Sequence, residues 1–220
     1  MKKIAKNISI FSSYFIYEYA FIFILIGLNI NYYNFSYKNK LISLSIINFV
    51  YLIFLLFMYK SELKDDKIDF KNNYKKYIND YLYIYFIGVI LMGLSNILLQ
   101  HITKLEMSGN ESAIRNLIKT YPLYMIFSSV IYAPFTEEII FRKSIKNIIN
   151  SKYLFISISG IIFGILHISD FTNINEILMG IPYIIMGLDF AYIYQKSNNI
   201  FTTMLFHLCH NSILIILQFL

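Results

Sequence analysis

Ala133-Pro134-Phe135-Thr136-Glu137-Glu138-Ile139-Ile140-Phe141-Arg142 follows an uncharged apolar run that begins at Tyr121. Charges at such a place are unfavourable, since one ionised side chain at the middle of a membrane helix costs about 2.5 to 3.5 kcal/mol on insertion scales. On a helix Glu138 and Arg142 are four apart, share a face and can pair, which reads as a structural clamp. Glu137 is rotated about 100° from that pair and has no partner within its own helix. An unpartnered acid in this setting marks a functional site. Pro134 offers no N–H to the carbonyl of Val130, so a kink or restart is expected there. After a restart, Glu137 and Glu138 would lie in a first turn whose dipole favours anions.

The rest of the chain supplies a membrane setting. Of 220 residues, 57% are hydrophobic and only 15% charged, with a mean hydropathy of +0.56. Soluble domains carry about a quarter charged residues, so the chain reads as an all-α, polytopic membrane helix bundle. Spans need roughly 20 apolar residues, and seven candidates fit: 8–30, 41–59, 81–100, 121–149, 153–169, 174–195 and 200–220. Between the second and third, Phe70, Tyr74, Tyr77, Ile78 and Tyr81 recur at helical spacing among Lys71, Lys75 and Lys76. That pattern predicts an amphipathic helix over 61–80 on the inner membrane surface. Ser108-Gly109-Asn110 marks a turn before a further apolar face at Ile114, Leu117, Ile118 and Tyr121.

The net charge of +6 would suggest nucleic acid if the lysines were clustered, but they lie between the apolar runs. Membrane topology explains them, and no nucleic-acid partner is expected. With the N-terminus cytoplasmic, the inner segments hold Lys2, Lys3 and Lys6, the six lysines from Lys60 to Lys76, Arg142, Lys143, Lys146, Lys152 and Lys196. The outer segments hold only Lys38, Lys40, Lys104, Arg115 and Lys119. That bias predicts a multi-pass protein of the cell membrane with its N-terminus inside. The basic start resembles a signal peptide, but the apolar run continues to about Ile30 without a small-residue cleavage site, so an uncleaved first span is expected. Cys209 is the sole cysteine and permits no internal disulfide.

Two further stretches carry chemistry-bearing residues. In the fifth span Gly160 and Gly164 form a face for close helix packing, and His167, seven residues past Gly160, returns to that face. Phe163, one turn earlier, can wall a site. The seventh span is apolar except for a stripe of Thr203, His207, His210 and Asn211, which must turn toward neighbouring helices because lipid satisfies no hydrogen bonds. Thr203 and His210 read as interhelical glue. Glu18, Glu176 and Asp189 are lone acids without a motif.

In order, Glu137-Glu138-x-x-x-Arg142, Phe163-x-x-x-His167 and His207-x-x-x-Asn211 resemble the CAAX-protease and bacteriocin-processing family, the Abi-type intramembrane endopeptidases. The resemblance covers about 121–211. It implies a single membrane domain, with N-terminal spans and the surface helix in 1–120 and the catalytic helix core in 121–220. It further implies that Glu137 and His167 activate a hydrolytic water, that His207 and Asn211 stabilise the oxyanion or complete the site, and that Glu138, Arg142 and Phe163 support the site. The substrate would be a membrane-associated peptide or protein. Two mechanisms fit the resemblance: a metal-free Glu/His base, or Zn²⁺ held by Glu137, His167 and His207. Lys143 departs from the family, which has glycine after the arginine, and puts the packing of that helix end in question.

Rival readings are a non-proteolytic family member acting in bacteriocin self-immunity or protein interaction, a bis-histidine haem protein using His167 and His207, and a transporter, against which the lack of an internal repeat counts. Counting along the helices sets Glu137 near the inner end of the fourth span and His167 near the outer end of the fifth. Tilt, or a fifth helix that begins below the bilayer, would have to remove that difference.

Overall fold

A computed structural model describes residues 2–219. Eight helices make up the bundle: α1 (Lys2–Gly27), α2 (Tyr37–Met58), α3 (Lys60–Thr103), α4 (Gly109–Thr120), α5 (Pro122–Ile148), α6 (Lys152–Ile165), α7 (Ile174–Ser197) and α8 (Ile200–Leu217). No strand occurs among the described residues. Polar residues before the apolar runs begin several helices. The Ser36, Ser108 and Asn199 side chains accept from the N–H of Asn39, Glu111 and Phe201, which satisfies first-turn donors that lipid cannot.

Six helices, α1, α2, α3, α5, α7 and α8, are long and apolar enough to cross a membrane. The fifth of the seven expected spans, 153–169, falls short. α6 has 14 residues, about 21 Å of rise, against an apolar core of about 30 Å. It ends in a polar loop in which Asp170 accepts from the N–H and hydroxyl of Thr172 at 2.8 and 2.6 Å. Those bonds hold the Asp170 carboxyl below its usual range.

The separate surface helix over 61–80 does not form. Those residues continue into the third span as one 44-residue helix, because no proline or glycine interrupts the chain from Lys60 until Gly88. Its charged half extends along the lysine-rich end of the bundle and is tied there. Asp66 meets Lys143 at 2.5 Å, and Asp69 accepts from Asn199 Nδ2 at 2.7 Å. Lys143 therefore packs against α3, which answers the question raised by the missing glycine.

α6 and α7 pack backbone to backbone at the predicted glycines. A Cβ on Gly160 would lie 2.7 Å from Leu188 N, and one on Gly164 would lie 2.6 Å from Ile184 N. Gly187 returns the contact, with Gly160 O 2.6 Å from where its Cβ would be. α1 and α2 join α5 through tyrosines: Tyr17 stacks on Tyr51 at 4.2 Å, and Tyr132 donates to the Tyr17 hydroxyl at 3.0 Å.

Gly164→Ala should lower the unfolding midpoint in detergent, by roughly 1–3 kcal/mol for an overpacked contact. Gly27→Ala, where an added Cβ meets nothing within 4 Å, should leave it unchanged.

Candidate active site

α5 does not restart at Pro134. The helix runs through it on two wide π-turns, Ile126–Tyr132 and Glu138–Ser144, so of the kink or restart expected there no restart occurs, and the glutamates gain no free N-terminal dipole. The wide turn has a chemical cause. The Ala133 N–H bonds to Ser128 O, five residues back, and in that register the next carbonyl, Ser129 O, faces the nitrogen of Pro134, which carries no hydrogen. A donor from another helix fills the gap: Asn211 Nδ2 bonds to Ser129 O at 2.7 Å. Asn211 therefore ties α8 to α5 and keeps one amide hydrogen free.

One turn further, Glu138 and Arg142 form the pair expected from their spacing, 3.2 Å from Nε to Oε2, both fully buried. Ser159 of α6, which the sequence did not single out, accepts from Arg142 Nη1 at 3.0 Å and donates to the Phe141 carbonyl at 2.6 Å. Phe163 lies under the guanidinium at 4.8 Å. The other oxygen of Glu138 is 3.0 Å from His207 Nδ1. A carboxylate paired with arginine accepts only, so Nδ1 carries the proton and Nε2 is left for the far side of the ring. That side faces Glu137, whose Oε2 is 3.9 Å from Nε2.

His167 is fixed by the same logic. Its Nδ1 lies 2.9 Å from the Phe163 carbonyl, an obligate acceptor, so Nδ1 donates and Nε2 is free. Its ring stacks on Tyr183 of α7 at 4.6 Å, a contact that no sequence spacing signals. The depth difference expected between Glu137 and His167 narrows in the hairpin, and both residues line one cavity. α5 and α6 turn back at 149–151, so Arg142 of α5 meets both Ser159 and Phe163 of α6. His167 is one turn beyond.

Glu137, Phe163, His167, His207 and Asn211 all line one cavity of about 820 Å³, while Glu138 and Arg142 stand behind its wall. His210 also lines it, with Nδ1 3.3 Å from the Tyr85 hydroxyl of α3; it joins helices, as expected, and faces the cavity as well. Glu176 is not idle: both its oxygens accept from the Gly109 N–H, at 3.1 and 3.0 Å, and hold the start of α4 over the cavity.

Residues 119–213 match the family model described as "Type II CAAX prenyl endopeptidase Rce1-like". This segment, 95 of the 220 residues, is thus similar to the CAAX prenyl endopeptidases. All seven motif residues fall inside the matched CAAX-protease segment. Among curated relatives, the Bacillus subtilis (strain 168) protein named "Putative membrane peptidase YdiL" is 36% identical over 114 residues, 50% of this chain and 43% of that protein. The Lactococcus lactis subsp. lactis (strain IL1403) protein named "UPF0177 protein YvdC" is 26% identical over 182 residues, 80% of this chain and 67% of that protein. The matched stretch thus spans under half the length of the first relative. No solved structure matches the chain.

The donor types Glu137, His167 and His207 suit zinc, but among the described residues no group of three or more His, Cys, Asp or Glu side chains stands close enough to hold a metal ion. The set shares a cavity without forming a preassembled cage.

Glu138→Gln should lower the unfolding midpoint sharply, by about 3–5 kcal/mol, because it strands the buried Arg142 charge. Glu137→Gln, whose carboxylate faces the cavity, should leave the midpoint close to that of the unaltered protein.

Proposed function

We propose that the chain is an intramembrane endopeptidase that hydrolyses a peptide bond of a membrane-associated substrate. One observation carries this reading: an unpaired carboxylate and two imidazoles, each imidazole with Nδ1 engaged and Nε2 free, line one cavity. The Glu137 carboxylate and the His167 Nε2 lone pair are both acceptors, so a water between them gives a hydrogen to each and turns its own lone pair toward a substrate carbonyl. As the water oxygen bonds to the carbonyl carbon, Glu137 takes its proton. The free amide hydrogen of Asn211 donates to the oxyanion, and His207 completes the site beside Glu137. When the C–N bond breaks, the proton passes from Glu137 to the leaving amine, and the products are a carboxylate and an ammonium.

Glu138 and Arg142 act at one remove. By fixing the His207 tautomer and ring plane they keep Nε2 aimed at the reacting groups, the role that a third residue plays in hydrolytic triads. If zinc were bound through Glu137, His167 and His207, it would polarise the water and the carbonyl.

Glu137→Ala should abolish cleavage, with at least a 10²-fold loss on the scale of a lost general base, while the protein still inserts and purifies as a folded species. Mass spectrometry of membrane peptides from cells carrying either form would read this; an unchanged peptide pattern would defeat the peptidase reading and favour a non-proteolytic role. Titration of the purified protein with a zinc chelator should leave activity intact, and loss with recovery on added zinc would establish the metal form instead.

A further inference from the structure

The cavity has a direction. On every helix that lines it, the lining residues stop at the level of the proposed chemistry and lie on one side of it. On α3 they run from Met92 to Gln100, on α5 from Tyr124 to Glu137, on α7 from Met179 to Phe190 and on α8 from His207 to Leu217, with Gln218 just past its end. Below that level the space is filled. Glu138, Phe141, Arg142, Phe155, Ile200 and Thr203 are all buried to 1% exposure or less and close the floor.

The two ends of the bundle differ in charge. At the closed end Lys143 meets Asp66, Lys6 lies 3.8 Å from Glu62, and Lys146 donates to Asn198. The lysine-rich segments thus converge there in three dimensions. The open end is formed by the last turn of α3, the loop to α4, α4 itself and the last turn of α8. It belongs to the segments that hold only five of the nineteen basic residues. The positive-inside bias places that end outside the cytoplasm.

The walls indicate what enters. Met92, Met107, Met125, Met179 and Met186 line the cavity, five of the eight methionines of the chain. Thioether side chains are polarisable and repack easily, so such walls accept apolar groups of varied shape without selecting one. At the rim the charged Glu106 and the apolar Leu214 and Leu217 are all exposed. An occupant entering there borders both kinds of side chain.

We propose that the site takes its substrate from the lysine-poor, non-cytoplasmic side, and that this substrate is an apolar polypeptide segment lying next to a membrane anchor on that face. The substrate class rests on the peptidase reading; the direction of access does not.

The test separates the two. In a Cys209→Ser background, single cysteines are placed at the rim (Glu106→Cys, with Gln218→Cys as a second rim position), within the cavity (Asn96→Cys) and at the lysine-rich end (Lys71→Cys). Intact cells are exposed to a membrane-impermeant maleimide before and after permeabilisation. Rim and cavity cysteines should label in intact cells, and Lys71→Cys only after permeabilisation. Rim cysteines that need permeabilisation, a Lys71→Cys that labels without it, or a cavity cysteine that stays silent beside a labelled rim would each overturn the direction of access. The same pattern is expected with Glu137→Ala added, since labelling requires no catalysis. In parallel, a quenched fluorogenic apolar peptide with charged ends is added to right-side-out and inverted membrane vesicles. Cleavage confined to right-side-out vesicles is expected. Cleavage confined to inverted ones overturns the proposal, and cleavage in neither sinks the peptidase reading while the labelling result stands on its own.

Discussion

Everything in the site depends on one buried carboxylate. Glu138 gives one oxygen to Arg142 and the other to His207, and neither the arginine nor the imidazole is tolerable at this depth without it. The guanidinium in turn takes Ser159 and sits over Phe163, so α5, α6 and α8 are locked at one level by one cluster of charge and hydrogen bonds. A buried ion pair is a poor source of net stability when compared with apolar packing. Its value here is register, since a helix that slid by one turn would leave a bare charge in the core.

That lock explains a division of labour between neighbours in the chain. Glu137 and Glu138 differ by one position, yet the first lines the cavity and the second is sealed behind it. A rotation of about 100° per residue is enough to produce this separation. The cluster fixes the helix, and the helix aims Glu137.

Much of this was legible in the residues. The pairing of Glu138 with Arg142 follows from spacing, the close approach of α6 and α7 from Gly160 and Gly164, and the inward turn of His207 and Asn211 from the intolerance of lipid for polar groups. What escaped had no local signature. Composition shifts at about Asp80, so the charged stretch looked like a separate surface helix; only the absence of a breaker says that α3 continues, and absence is a weak signal. The depth difference between Glu137 and His167 came from counting spans as full crossings, and α6 is too short to be one. Tyr183 against His167 and Glu176 at the start of α4 are long-range contacts that one chain read in order does not reveal.

The asparagine on α8 and the proline on α5 also constrain one another. Pro134 leaves a carbonyl without a backbone donor, and Asn211 occupies the vacancy. Any other residue at 134 would bring a backbone hydrogen that competes for that oxygen. The final helix would then keep only its tie through His207 and Glu138 to hold that face against α5. The reacting groups could thus be disarmed, or retuned, by a change at a position that performs no chemistry.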